Sequence, residues 1–99
     1  MIERTEGGLS VTVPMVIANA RTLLETGRLL LDTRGQQPAA SVVDLQAVGE
    51  VDSSALGVVL GWLRTAGERD LVGLRIANPP ASLISLATLY GVSELLPLA

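Results

Sequence analysis

Ala40-Ser41-Val42-Val43-Asp44-Leu45, followed by Asp52-Ser53-Ser54 and then by Leu71, Val72, Leu74 and Ile76, decides the fold. The first segment is short, β-branched and apolar on both sides, the signature of a strand buried on both faces. Asp52-Ser53-Ser54 offers side-chain oxygens to the free N–H groups of a helix start, and the helix predicted from there runs to about Ala66, before Gly67. A second apolar strand follows. Strand, helix and strand at this spacing make a βαβ unit, whose crossover is right-handed in nearly all known cases, so the strands at 42–45 and 72–76 are expected to be parallel and central.

The flanking sequence extends this unit. Leu9, Val11 and Val13 alternate with Ser10, Thr12 and Pro14, the period of a half-buried strand, and Gly7-Gly8 marks a turn through which Ile2–Thr5 can pair as a hairpin. Val16, Ala20, Leu23, Leu24, Gly27, Leu30 and Leu31 recur at helical intervals, predicting a helix from about Met15 to Asp32 that Gly27 weakens in its middle. Arg34-Gly35-Gln36-Gln37-Pro38 is a polar loop too short to separate domains. Asn78-Pro79 reads as a helix cap with Pro in the first turn. Leu83, Leu86, Ala87 and Tyr90 then line one face up to Gly91 at the C-cap, with Val92 placed to close it. The expected class is α/β, a single domain over 1–99 with a small mixed sheet, helices packed on it and room for a last edge strand near Leu95–Leu98.

Composition narrows function by exclusion. Of the 99 residues 48% are hydrophobic and 17% charged, and the net charge is −3. There is no Cys, His or Lys, so all seven cations are Arg. That removes disulfides, thiolate and imidazole metal ligands, Ser-His-Asp and Cys-His nucleophiles, Schiff-base chemistry and the Walker A lysine. A nucleic-acid surface would need a basic patch, which an acidic chain with scattered Arg does not suggest. The longest apolar run, Ala55 to Leu63, contains Gly57 and Gly61 and falls short of the roughly 20 residues a membrane span needs. Met1-Ile2-Glu3-Arg4 does not open an export signal. The expectation is a cytoplasmic, non-catalytic protein with no cofactor and no metal.

Two features could carry function. Ser53 and Ser54 sit where a helix N-terminus presents free amides and partial positive charge: the residues can be a plain cap, or a hydroxyl there can be phosphorylated, with Asp52 repelling the added phosphate. Catalysis by Ser53 is not expected, since no Gly-x-Ser-x-Gly and no His accompany it. On the following helix, Leu56, Val59, Leu60 and Leu63 cluster toward the sheet, while Ala55, Val58 and Trp62 form a second stripe roughly 120° away. A neighbouring helix can cover that stripe. If none does, it is a docking surface, with Trp62 as its anchor and Tyr90 at its edge. Gly57 and Gly61 on the third side permit close approach of another element.

Val42-Val43-Asp44-Leu45 and Val51-Asp52-Ser53-Ser54-Ala55-Leu56-Gly57 resemble the STAS domain family, the fold of sulfate transporters and anti-sigma-factor antagonists, over roughly residues 8–97. In the antagonist branch the first serine of this motif is the phosphorylation site, which falls on Ser53. The chain departs from that branch at Ala55, where glycine is usual, and at Val13-Pro14-Met15-Val16, where Gly-Glu-Leu-Asp is common. Leu86-Ala87-Thr88-Leu89-Tyr90-Gly91-Val92 with Leu95-Leu96-Pro97 is similar to the tail of MlaB-type subunits. Those are cytoplasmic subunits of the ABC transporter that maintains outer-membrane lipid asymmetry, and they often carry Thr at the position of Ser53. The resemblance implies a STAS subunit that binds the ATPase of that transporter, and through it the membrane permease, with no insertion into the bilayer itself. The helix start and the second stripe of the following helix supply the expected contact residues: Asp52, Ser53, Ser54, Ala55, Val58, Trp62 and Tyr90. The alternative the resemblance implies is an anti-sigma factor antagonist switched by phosphorylation of Ser53.

Overall fold

The computed structural model describes residues 1–31, 42–68 and 74–99. The predicted loop Arg34–Pro38, the strand residues Ala40 and Ser41, Leu71 and Val72, and the helix end at Asp32 lie outside them. The elements run β1 (Ile2–Thr5), β2 (Gly8–Val11), α1 (Ile17–Leu31), β3 (Val42–Asp44), α2 (Ser54–Glu68), β4 (Arg75–Ala77) and α3 (Ala81–Leu89), with a short 3-10 turn at Ser93–Leu95.

The expected hairpin forms, with β1 antiparallel to β2 and Thr5 opposite Gly8. β2 pairs parallel with β3, and β3 parallel with β4, in the order β1-β2-β3-β4. There are thus two βαβ units, β2-α1-β3 and β3-α2-β4. Strand order follows chain order, so right-handed crossovers place α1 and α2 side by side on one face, and these two helices pack more extensively on each other than any other pair of elements. The register shows the same one-sidedness. Leu9, Val43 and Ile76 form a row across three strands and are each at most 2% exposed. In the neighbouring row Ser10, Asp44 and Ala77 are half-buried. β3 therefore buries Val43 fully and Val42 and Asp44 only partly, rather than both faces alike. β4 is an edge strand of the four, but its free edge is partly covered: Ile76 donates to Pro97 O at 2.8 Å and accepts from Ala99 N at 2.9 Å, a bridge to Leu98 within the expected edge segment.

Three local expectations shift. Met15 does not begin α1. Its N–H donates to Glu50 O at 2.9 Å and its carbonyl accepts from Asp52 N at 3.1 Å, so Met15 bridges Val51 and is buried, tying the β2–α1 junction to the β3–α2 junction. Asn78 does not cap α3. It takes φ 52°, a left-handed conformation that Asn tolerates, and its amide donates to Asp44 Oδ1 at 3.1 Å, leaving Pro80 as N-cap without a side-chain bond. Gly27 is no weak point: a Cβ there would stand 2.1 Å from Trp62 Nε1, so its missing side chain is the notch into which the indole fits. The C-cap of α3 forms as expected. Gly91, at φ 71°, donates to Thr88 O at 3.1 Å and Val92 to Ala87 O at 2.8 Å, the paired bonds of a Schellman motif.

The two helix glycines Gly27 and Gly57 should respond oppositely to alanine. Nothing lies near a Cβ at Gly57, so Gly57→Ala is expected to raise stability by up to about 1 kcal/mol through helix propensity. Gly27→Ala gains the same propensity but drives a methyl into a rigid buried ring, and overpacking typically costs about 1–3 kcal/mol. Urea unfolding of the two variants should move the midpoint in opposite directions.

Candidate functional site

The β3–α2 junction is organised by one carboxylate. Asp52 Oδ1 accepts the N–H of Ser54 at 2.9 Å and the Ser54 hydroxyl, and Oδ2 accepts the N–H of Ile17 at 2.9 Å. A single side chain thereby satisfies free amides at the starts of both α1 and α2, the groups a helix leaves unpaired at its N-terminus. The Ser54 hydroxyl, followed by the Ile17 and Ser54 amides, holds the Asp52 carboxyl below the ordinary aspartate value, against a smaller opposing effect of desolvation. The two serines differ in consequence. Ser54 is spent on Asp52, whereas Ser53 is exposed and its hydroxyl has no hydrogen-bond partner among the described residues.

The second stripe of α2 is not a docking surface. Ala55, Val58 and Trp62 are 0%, 3% and 1% exposed. The indole Nε1 of Trp62 donates to Leu23 O at 3.1 Å and Leu24 O at 3.3 Å, carbonyls of α1, and the ring sits over Gly27. The physical reason is the side-by-side placement of the helices: α1 covers the stripe that an isolated helix on a sheet would leave wet. The assignment of Ala55, Val58 and Trp62 to partner binding is therefore corrected, and all three belong to the core. Asp52 and Ser54 are half-buried and act as the scaffold of the junction.

The free face of α2 lies on its other side. Ser53, Leu56 and Leu60, at helical spacing i, i+3 and i+7, join Tyr90 and Val92 in lining an open groove of about 310 Å³ between α2 and the end of α3. Tyr90 is 58% exposed, and Leu89 (75%) and Leu95 (59%) add uncovered apolar surface in the same C-terminal segment. The Schellman cap fixes the segment, since it turns the chain back through Gly91 and brings Val92 alongside Tyr90. Of the predicted contact residues, the structure gathers Ser53 and Tyr90 at one groove. It adds Leu56, Leu60 and Val92, which keep their expected places, Leu56 in the core and Leu60 and Val92 packed against it, and present their outer edges to the groove. Two leucines in the first half of an apolar helix carry no mark of which way they point. The close approach expected at Gly57 does not occur, since nothing stands within 4 Å of a Cβ there and the residue is exposed, whereas at Gly61 a Cβ would meet Leu24 Cδ1 at 2.6 Å.

Among the described residues no arginine lines the groove. A phosphate on Ser53 would therefore meet no neutralising partner there, only the ionised Asp52 beside it. Among the described residues no cluster of acidic side chains could hold a metal ion, and no helix is long and apolar enough to cross a membrane.

A parallel three-strand core with one antiparallel edge hairpin and helices packed on it, with a serine exposed at the start of its second helix, defines a small α/β domain. The chain belongs to the STAS domain family: the family model described as Mlab, STAS domain, matches residues 2–97. Among solved structures, the anti-sigma factor antagonist SpoIIAA in its unphosphorylated form is similar, with TM-score 0.60 and 17% identity over 100% of this chain and 86% of that one, a likeness of fold. No curated protein matches the sequence.

The lowered Asp52 carboxyl sets a pH dependence. Its folded-state value lies below its ordinary one, so the stability it contributes is present at neutral pH and is lost as pH falls through the folded value, below about 3.8. Asp52→Asn should unfold at lower urea than the parent at pH 7, and the gap should shrink as pH is brought under 3.8. A gap that stays constant down to pH 2.5 would show that charge is not its source.

Proposed function

We propose that the chain is a non-catalytic STAS subunit. In this reading it binds the ATPase of a phospholipid ABC transporter maintaining outer-membrane lipid asymmetry, supports its assembly and activity, and sits in the cytoplasm, held at the inner membrane through that complex. The observation that carries this reading is the groove of Ser53, Leu56, Leu60, Tyr90 and Val92, with Leu89 and Leu95 uncovered nearby. Apolar side chains left in water on a chain with no His, Cys or Lys are suited to binding rather than chemistry. An aromatic at the groove wall is the residue type most often found to anchor an interface. The description of the matching family as Mlab supports the choice of partner.

A second reading rests on Ser53 itself. A free, exposed hydroxyl at the start of a helix, beside an ionised aspartate, is open to a kinase, and the fold is like that of SpoIIAA. An anti-sigma factor antagonist released by phosphorylation of Ser53 would use the same groove: the phosphate would leave the fold intact and repel the partner.

Affinity purification of the chain from native membranes separates the two. The transporter reading expects an ABC ATPase and its permease to co-elute, and the antagonist reading expects a serine kinase with anti-sigma activity and phosphate on Ser53 by mass spectrometry. In either case Tyr90→Ala should weaken the complex by about 2 kcal/mol or more, roughly 30-fold. Ser53→Asp should weaken it by at least as much, because it brings an unpaired charge into a docked surface. Both should still melt cooperatively. Trp62→Ala, by contrast, removes a core ring and should cost about 3–5 kcal/mol of folding stability. Binding by Ser53→Asp and Tyr90→Ala equal to the parent's would exclude this groove as the docking site.

A further inference from the structure

A second cleft, sharing no residue with the docking groove, lies between α1 and α2. Its volume is about 320 Å³ and its walls are Leu24, Arg28, Gly61, Arg64 and Thr65. The other arginines among the described residues are engaged: Arg21 with Glu25 at 3.3 Å, Arg4 with Leu30 O and Arg75 with Leu98 O, each at 3.4 Å. Arg28 and Arg64 have no partner among the described residues. The chain brings these two guanidinium groups to one cleft although its carboxylates outnumber its arginines ten to seven, and among the described residues no carboxylate lines it. Thr65 is 7% exposed, and its hydroxyl also lacks a partner, whereas Thr88 makes the usual helix bond back to Ile84 O at 3.2 Å. Among the described residues no buried side-chain oxygen or nitrogen lacks a partner, so the unbonded Thr65 hydroxyl is one that reaches the open space of the cleft, where a ligand can meet it.

We propose that this cleft binds a phosphate-type oxyanion. Arg28 and Arg64 supply positive charge and planar N–H donors matched to phosphate oxygens, and the Thr65 hydroxyl donates a further bond. The volume stands at the small end of ligand pockets and exceeds what a bare phosphate needs, so the ligand is a small phosphate ester or diester. No aromatic side chain lines the cleft, which leaves nothing for a nucleobase to stack on and sets nucleotides aside. The phosphate can belong to a free metabolite or to a lipid headgroup.

The test is a ¹H–¹⁵N titration of the whole chain with sodium phosphate, with ionic strength held constant by sodium chloride. Saturable shifts are expected at the Gly61 and Thr65 amides and at the Trp62 indole, which bonds Leu24 O. The double variant R28Q/R64Q should bind at least tenfold more weakly at an unchanged melting temperature, since both side chains are exposed. Thr65→Val should fall between the two. A co-sedimentation arm uses phosphatidylglycerol vesicles. Pelleting that phosphate competes away and R28Q/R64Q abolishes assigns the phosphate to a lipid, and saturation without pelleting assigns it to a free ester. Shifts that grow linearly with phosphate, or that persist unchanged in R28Q/R64Q, overturn the proposal. Ser53→Asp should leave phosphate binding as it is, so the cleft and the docking groove fail or stand separately.

Discussion

The seating of Trp62 against Gly27 is the constraint on which the rest of the structure depends. A helix as apolar as α2 could present almost any side to a sheet. The indole, bonded to two carbonyls of α1 and fitted where α1 has no side chain, permits one rotation only. With that rotation set, Ala55, Val58, Val59 and Ala66 go inward and Ser53, Gly57 and Leu60 are turned to the other side. The groove face is therefore a by-product of a core contact made on the opposite side of the same helix. Its exposure needs no separate device.

Asp52 performs the complementary task at the helix starts. Since it accepts amides from both Ile17 and Ser54, and since Met15 and Val51 are bridged just before them, the two strand-to-helix junctions behave as one unit. Ser53 projects from a frame already fixed on both sides. An added charge on Ser53 would thus act on whatever approaches from outside, because the frame's own polar groups are bonded to one another. This rigidity suits both readings of the groove, a permanent subunit contact and a contact broken by phosphorylation.

The parts of this architecture that were legible in the sequence are those encoded by neighbours in the chain. Gly7-Gly8 with alternating apolar residues specifies a hairpin and Gly91-Val92 a Schellman cap, each a matter of a few consecutive residues, and the order and spacing of strand, helix and strand specify parallel pairing. Ser53 and Tyr90 were found because a serine at a helix start and a lone tyrosine are conspicuous. The orientation of α2 was not legible, because it depends on a partner helix thirty-odd residues upstream, at Gly27, and both stripes of α2 look equally buriable. Met15 and Asn78 misled for a related reason: the helical spacing after Met15 and the capping side chain of Asn78 are local signals, overridden by bonds to residues distant in sequence, Glu50 and Asp44 respectively.

The aromatic inventory acquires a use from this arrangement. The chain has one tryptophan, one tyrosine and no phenylalanine. The indole is sealed in the seam between α1 and α2, and the phenol stands at the groove between α2 and α3. Each chromophore therefore reads a different event. Tryptophan emission follows the integrity of the helix pair, and tyrosine absorbance follows occupation of the groove. The unlabelled protein carries separate optical channels for folding and for association, so loss of binding through unfolding can be told from loss of binding at a surface in one cuvette.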